Sequence, residues 1–354
     1  MSTSKAAIDT LYYTRCAVPT PLGIAARLGW FKEEFEPEGV TIKVVVESEN
    51  VAQREAHYDH GIDNLFRLGG NIPALWARSK GTQTRLLALS WVDEFQGIVT
   101  LPDSGIAAAT GLRGRKFGLE KHDSPFIDHS HASALRGIHQ AMQLAGASLR
   151  DVELVDLIAP RNSIAEQGAE RLSGSRFSGP KRRGGSLPLL ALLRREVDAI
   201  YLKGPRGLQL VHQLGLHVAV DLASHPDPLV RANNCTPRTM TVDQHLLDQR
   251  PDLVARFVAR VHAAGEWAKH HADEAVRFIG DETSTASAWV RYGHGDRVHE
   301  SLGIELSDTS IAALDDLKNF LVAFHYLPAD FAIRQWIDPQ PLQSVQVRER
   351  KQVA

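Results

Sequence analysis

The chain has 354 residues, 43% hydrophobic and 23% charged, with a formal charge of −2 at pH 7 and a pI near 6.8. That length exceeds a single small core and calls for one large or two medium domains. The near-neutral charge excludes a global field for nucleic acid or an anionic membrane surface.

Two cysteines, Cys16 and Cys235, lack any CxxC spacing and argue against a disulfide framework or a zinc site. No run of 18 apolar residues exists, so no membrane span is expected. The first residues lack a basic stretch followed by an apolar one, so they do not read as a secretory signal. A cytoplasmic, reducing setting is the expectation, with no cofactor and no metal, and with the chain acting as a monomer.

In chain order, Ile8 to Arg15 reads as a strand and Pro21 to Phe35 as a helix, with apolar Leu22, Ile24, Ala25, Leu28 and Trp30. Val40 to Val46 is short and β-branched, hence a strand. Ile72 to Arg78 reads as a helix with Asn71 as N-cap and Pro73 in its first turn. Thr84 to Trp91 and Gln96 to Thr100 are the next strands. Gly111 to Leu119 is a turn feeding a strand, followed by a helix from about Ser130 to Gly146 and a strand from Val152 to Ile158. Between Ala159 and Gly185 Ser, Gly and Arg dominate (Arg171, Arg176, Lys181, Arg182, Arg183), which reads as a mobile loop over residues 159–187 with a solvated charged face. A lid or anion-gathering rim is the alternative for that loop.

Pro188 to Arg195 reads as a helix and Glu196 to Tyr201 as a strand. Val218 to Leu222 and Pro237 to Val242 are further strands. Beyond them Pro251 to His271 carries Leu253, Val254, Phe257, Val258, Val261, Ala264 and Trp267 at helical spacing, one buried face of an amphipathic helix. Asp308 to Phe324 and Pro328 to Trp336 repeat that pattern. Strand–helix alternation marks an α/β layer fold, and no internal sequence repeat is visible.

The order of elements resembles the type II periplasmic solute-binding fold. Gly111-Leu-Arg-Gly-Arg-Lys-Phe-Gly-Leu119, Arg194-Arg-Glu-Val-Asp-Ala-Ile-Tyr201 and the Pro251–Ala275 segment carry the likeness. It implies two α/β lobes with a ligand cleft between them and a helical C-terminal region. Lobe I would hold residues 1–103 plus 223–354, and lobe II residues 104–222.

A narrower set of residues bears on chemistry. Cys16 stands where a short apolar strand runs into a loop, Thr14-Arg-Cys-Ala-Val-Pro19, and by residue type alone it reads first as a small core residue. His57 alone reads equally as a capping histidine, Arg67 as a surface side chain, and Gly69-Gly70 as a turn before a helix. Taken in order, however, the three segments resemble the aryl sulfinate desulfinases of dibenzothiophene desulfurisation. That family's pattern is a Cys-x-Val-Pro turn, a His followed by an aromatic residue, and an Arg ten residues later, followed by an apolar or aromatic residue, Gly-Gly and x-Ile-Pro. It is met here by Cys16, Val18 and Pro19, by His57 and Tyr58, and by Arg67, Gly69, Gly70, Ile72 and Pro73. Gln249 to Val254 and Arg334-Gln-Trp336 also resemble the family.

The resemblance implies cofactor-independent hydrolysis of a carbon–sulfur bond, releasing sulfite from a 2'-hydroxybiphenyl-2-sulfinate-like substrate. Cys16 would be nucleophile or acid, His57 its partner, and Arg67 with the Gly70 amide the anion clamp. Thr14, Tyr58, Gly69 and Gly70 would contact substrate. A planar guanidinium suits a two-oxygen anion, and a helix starting at Ile72 would add its N-terminal N–H groups. Two routes stay open: thiolate attack at sulfur, or protonation of the ring carbon by the thiol.

Departures from the pattern are Thr14 in place of the usual Ser, Arg15 beside the cysteine, a longer segment between Cys16 and His57, and a dissimilar region from Glu120 to Gly185. Cys235 matches no motif and reads as structural. Two other functions compete. One is a non-catalytic binder of a small organic anion of sulfonate, nitrate or thiamine-precursor type, which needs Arg67 but no thiol. The other is a metal-dependent enzyme built on His122-Asp123, Asp128-His129-Ser130-His131 and His139.

Overall fold

The computed structural model describes residues 8–159 and 186–353. Among them run ten strands: β1 (Thr10–Tyr13), β2 (Thr41–Val44), β3 (Leu65–Gly69), β4 (Thr84–Ser90), β5 (Gln96–Thr100), β6 (Lys116–His122), β7 (Glu153–Ala159), β8 (Ala199–Lys203), β9 (His217–Asp221) and β10 (Arg238–Asp243). They form two five-stranded sheets, ordered β2-β1-β3-β10-β4 and β7-β6-β8-β5-β9. The chain divides accordingly into two units, one of residues 8–92, 234–287 and 297–353, the other of 93–159, 186–233 and 288–296.

In the first unit β1 pairs in parallel with β2 and β3, while β10 runs antiparallel between β3 and β4. All five residues of the central strand β3 are buried. Strand alternation sends Phe66 and Leu68 to one face and Leu65, Arg67 and Gly69 to the other. On the first face the helix Pro251–His270 supplies Phe257, whose ring stacks on Phe66 at 3.8 Å and on Phe31 at 4.3 Å. Its buried positions (Leu253, Val254, Phe257, Val258, Val261, Ala264) follow the expected spacing. On the second face Leu65 packs with Ala56 and Val45. Ala56 belongs to the helix Val51–Asp59, capped by Asn50, whose side chain accepts from Ala52 N at 2.9 Å.

The second unit repeats the plan without repeating the sequence. β6 pairs in parallel with β7 and β8, and β5 runs antiparallel between β8 and β9. Val99, Ile200, Leu192 and Val197 centre its core. In each unit the antiparallel strand is the one by which the chain enters from the other: β5 after residue 92, β10 after residue 233.

This corrects the division expected from sequence, which set the crossings at 103/104 and 222/223. β5 registers with β8 from Gln96↔Lys203 to Thr100↔Ala199, so it belongs to the second unit. The single helix expected from Pro21 to Phe35 is two, Pro21–Arg27 and Trp30–Phe35, because Gly29 between them takes a left-handed φ of 78°. The helix expected over Pro328 to Trp336 shrinks to Ile333–Trp336. The Arg-rich stretch with Arg171, Arg176, Lys181, Arg182 and Arg183 lies outside the described residues. No helix among the described residues is long and apolar enough to cross a membrane.

Candidate functional site

Three elements of the first unit bring the expected residues together. The chain leaves β1 through Thr14, whose N–H donates to Phe66 O at 2.9 Å, and so stays alongside β3 as far as Cys16. The loop then enters the helix Pro21–Arg27, where Thr20 accepts from Gly23 N at 3.0 Å. Cys16 is thus fixed from both sides, half-buried, with Sγ 3.5 Å from His57 Nε2. Sulfur's larger radius makes that a hydrogen-bonding distance. Arg15 turns away to a bidentate pair with Glu282, so its charge is spent on a carboxylate.

His57 sits in the last turn of the helix Val51–Asp59, on which sequence reading placed no element. The overlooked signal was Asn50 as N-cap. Tyr58 sets its ring edge-on to the His57 imidazole at 5.0 Å between centroids. The helix ends at His60, left-handed with φ 56° and buried. Burial and the neighbouring Arg67 charge push the His60 imidazole down to about 3, against a backbone hydrogen bond to Leu65 that pulls the other way.

Arg67 is the centre of the arrangement. It stands mid-strand in β3, 1% exposed, and donates from Nε to His57 O at 3.0 Å. Its Nη1 and Nη2 are both buried and have no hydrogen-bond partner among the described residues. Burial pushes its pKa down, and the groups that oppose this are the Cys16 and Cys235 thiols and the Tyr58 phenol. None of these is a carboxylate. A buried guanidinium with two uncommitted donors is costly and calls for an anion.

Each of the two glycines makes room for a neighbouring side chain. A Cβ on Gly69 would stand 2.2 Å from Cys16 Sγ, so Gly69 is the floor on which the thiol rests. A Cβ on Gly70 would stand 2.6 Å from Asn234 Oδ1 and 3.2 Å from Cys235 Sγ. Gly70, not Asn71, is the N-cap position of the helix Asn71–Ser79. Asn71 is instead its first residue, fully buried and donating to Pro237 O at 2.8 Å. The Ile72 N–H expected to face an anion points at Asn234 Oδ1, 3.4 Å away.

Asn234 and Cys235, which sequence reading placed outside the candidate site, thus lie against Gly70. Thr239 and Thr241 join them: they register opposite Gly69 and Arg67 on β10 and share their face, with hydroxyls buried and unpartnered among the described residues. Thr14 Oγ1 is likewise buried and unpartnered there. The histidine cluster behaves differently. Asp128 caps the helix His129–Leu144 and accepts from the backbone of His131 and of His122, while His131 Nε2 lies 2.9 Å from Asp156. Helical geometry splays His129 from His131, and among the described residues no group of three His, Cys, Asp or Glu is placed to hold a metal.

No family model matches the chain. It is 27% identical over 365 aligned positions to the 2'-hydroxybiphenyl-2-sulfinate desulfinase of Rhodococcus erythropolis, covering 97% of this chain and 95% of that one. The crystal structure of a cysteine-to-serine mutant of the desulfurization enzyme DszB in complex with biphenyl-2-sulfinic acid superposes with a TM-score of 0.72. The two are 25% identical, over 97% of this chain and all of that one. The periplasmic aliphatic sulphonate binding protein SsuA from Escherichia coli gives 0.66 at 14% identity, over 94% and 93% of the two chains, a likeness of fold. The fold is therefore the type II periplasmic-binding-protein-like α/β fold, and the resemblance to the desulfinase runs the length of the chain.

Proposed function

We propose that the protein is a sulfinate desulfinase, catalysing ArSO₂⁻ + H₂O → ArH + HSO₃⁻ on an aryl sulfinate, with Cys16, His57 and Arg67 as its working residues. The observation that carries this is Arg67: a guanidinium buried in the sheet, its two Nη groups without an acceptor among the described residues, close enough to Cys16 to feel its thiol. Such a fork matches the two oxygens of a sulfinate. It would also stabilise charge on those oxygens as the carbon–sulfur bond breaks.

The Cys16–His57 contact supports turnover rather than binding alone, since a ligand-binding protein has no use for a thiol within reach of an imidazole. His57 can take the Cys16 proton, leaving a thiolate that attacks sulfur as the carbon–sulfur bond breaks; the imidazolium protonates the departing ring carbon, and water then hydrolyses the Cys–S–SO₂⁻ intermediate to the free thiol and sulfite. Equally, the thiol can protonate the ring carbon as the carbon–sulfur bond breaks and SO₂ leaves; water adds to the SO₂ to give sulfite, and His57 relays the proton released back to Cys16. Either way the thiol and imidazole act on one side of an anion held by Arg67. Thr14, Tyr58, Gly69 and Gly70 complete the surroundings of that anion in this reading.

The test is sulfite release from biphenyl-2-sulfinate by the wild type and by Cys16→Ser, with and without a chelator. Release that is lost in Cys16→Ser and indifferent to the chelator is the expected result. Activity that survives Cys16→Ser overturns the role given to the thiol. Saturable binding of the sulfinate by wild type without sulfite release would make the protein an anion binder.

A further inference from the structure

We infer that Asn234 makes this site selective for an anion with two oxygens over one with three, a proposal that rests on the sulfinate reading of the Arg67 pocket. Arg67 offers two Nη groups, enough for two oxygens. A third oxygen would need a third donor. The obvious one is the N-terminus of the helix Asn71–Ser79, which follows β3 directly.

That position is already taken by the wrong kind of atom for an anion. Asn234 Oδ1 accepts from Ile72 N at 3.4 Å and fills the space left by the missing Gly70 side chain. What stands at that N-terminus is a carbonyl oxygen, an acceptor and not a donor, with Cys235 Sγ beside it. Two electron-rich oxygens in a low-dielectric site repel one another.

The segment is also held firmly. Asn234 and Cys235 are 7% and 5% exposed. Cys235 takes a left-handed φ of 75°, uncommon for a residue with a side chain, and Thr236 donates to Val92 O at 3.3 Å. Swinging Asn234 aside would disturb these contacts.

A sulfinate carries a lone pair on sulfur where a sulfonate carries its third oxygen. The site thus distinguishes the two by rejection, placing an acceptor against the extra oxygen. The fold's sulphonate-binding relatives make the distinction a meaningful one for this scaffold.

The experiment is calorimetric titration of Cys16→Ser protein, in which turnover is suppressed, with biphenyl-2-sulfinate and biphenyl-2-sulfonate. The sulfinate is expected to bind about 10-fold tighter or better. Adding Asn234→Ala should bring the two within about 3-fold by admitting the sulfonate. Adding Asn234→Asp places a carboxylate at the same point and should weaken sulfinate binding about 10-fold or more while leaving the melting temperature unchanged or higher, because a negative charge suits a helix N-terminus. Equal affinities before Asn234 is changed, or a preference untouched by both substitutions, overturn the proposal; if wild type still releases sulfite, the desulfinase reading stands regardless. Binding of neither anion, together with no sulfite release by wild type, overturns both. Should Asn234→Ala fail to fold, Asn234→Asp decides.

Discussion

Arg67 reaches through Nε to the backbone carbonyl of His57 at 3.0 Å, while the His57 ring reaches the other way to Cys16 at 3.5 Å. The last carbonyls of a helix lack intrahelical partners, and a cation there is doubly favoured, by the hydrogen bond and by the helix dipole. The contact fixes the guanidinium by backbone alone. It also explains the ten-residue interval between the two: one turn of chain after the helix end, then entry into β3, returns position 67 beneath position 57.

Because the anchor is the His57 carbonyl, His57→Ala should separate turnover from binding. Steady-state kinetics on biphenyl-2-sulfinate are expected to show kcat lowered about 10²- to 10⁴-fold. KM should stay within about 3-fold of wild type, since Arg67 keeps its position. A comparable rise in KM would mean that the imidazole itself binds substrate.

Arg67→Lys keeps the charge and loses the geometry. A lysine ammonium cannot hold His57 O and present two parallel donors at once. We expect kcat/KM to fall about 10²-fold or more, and the thermal midpoint to drop because the His57 carbonyl and a buried charge are left poorly satisfied. Near-normal kinetics in this variant would remove bidentate recognition from the mechanism.

Gly69→Ala tests the floor beneath the thiol. A Cβ 2.2 Å from Cys16 Sγ cannot coexist with the present rotamer, and the next contact, 2.9 Å to Cys16 Cβ, blocks a small adjustment. Cys16 has to move off the strand, which breaks its approach to His57. Sulfite release should fall about 10²-fold, and the alkylation rate at Cys16, followed by peptide mass spectrometry, should change. Unaltered alkylation and activity would show that the thiol does not need this seat.

How far the sequence foretold this site depends on which contacts are local. The β-branched run at Val40 and the amphipathic face of Pro251–His270 announce themselves through period, and the elements around them form much as expected. The helix carrying His57 does not: Val51–Asp59 is polar on most of its surface, and its burial comes from Ala56 against β3. Asn234 and Cys235 were illegible for another reason. They are more than 160 residues from Gly70 in sequence, and only the antiparallel return of β10 beside β3 brings them there. The domain boundary differs for a like reason: long-range pairing with β8 and β9, not composition, decides where β5 belongs. Gly69 and Gly70 were recognised by motif, but their purpose depends on atoms from Cys16 and Asn234 that no local reading supplies.

His60 gives the fold a pH dependence with a definite sign. Its imidazole is held neutral in the native state, pushed down to about 3 by burial and by Arg67, whereas an unfolded histidine titrates near 6.5. Between those values the unfolded chain binds a proton that the native protein does not, so stability rises with pH across this window. The contribution is complete above about 6.5 and is lost progressively as the pH falls toward about 3. His60→Asn keeps a residue that tolerates the left-handed backbone and abolishes the titration. At pH 7.5 the variant should be the less stable, having lost buried volume and the bond to Leu65. Urea unfolding at pH 7.5, 6 and 5 should then show wild type losing ground to the variant by about 2 kcal/mol over the series. A difference between the two proteins that stays constant across that range would mean that the His60 imidazole takes up its proton alike in the native and unfolded chains, so that burial and Arg67 do not hold it neutral.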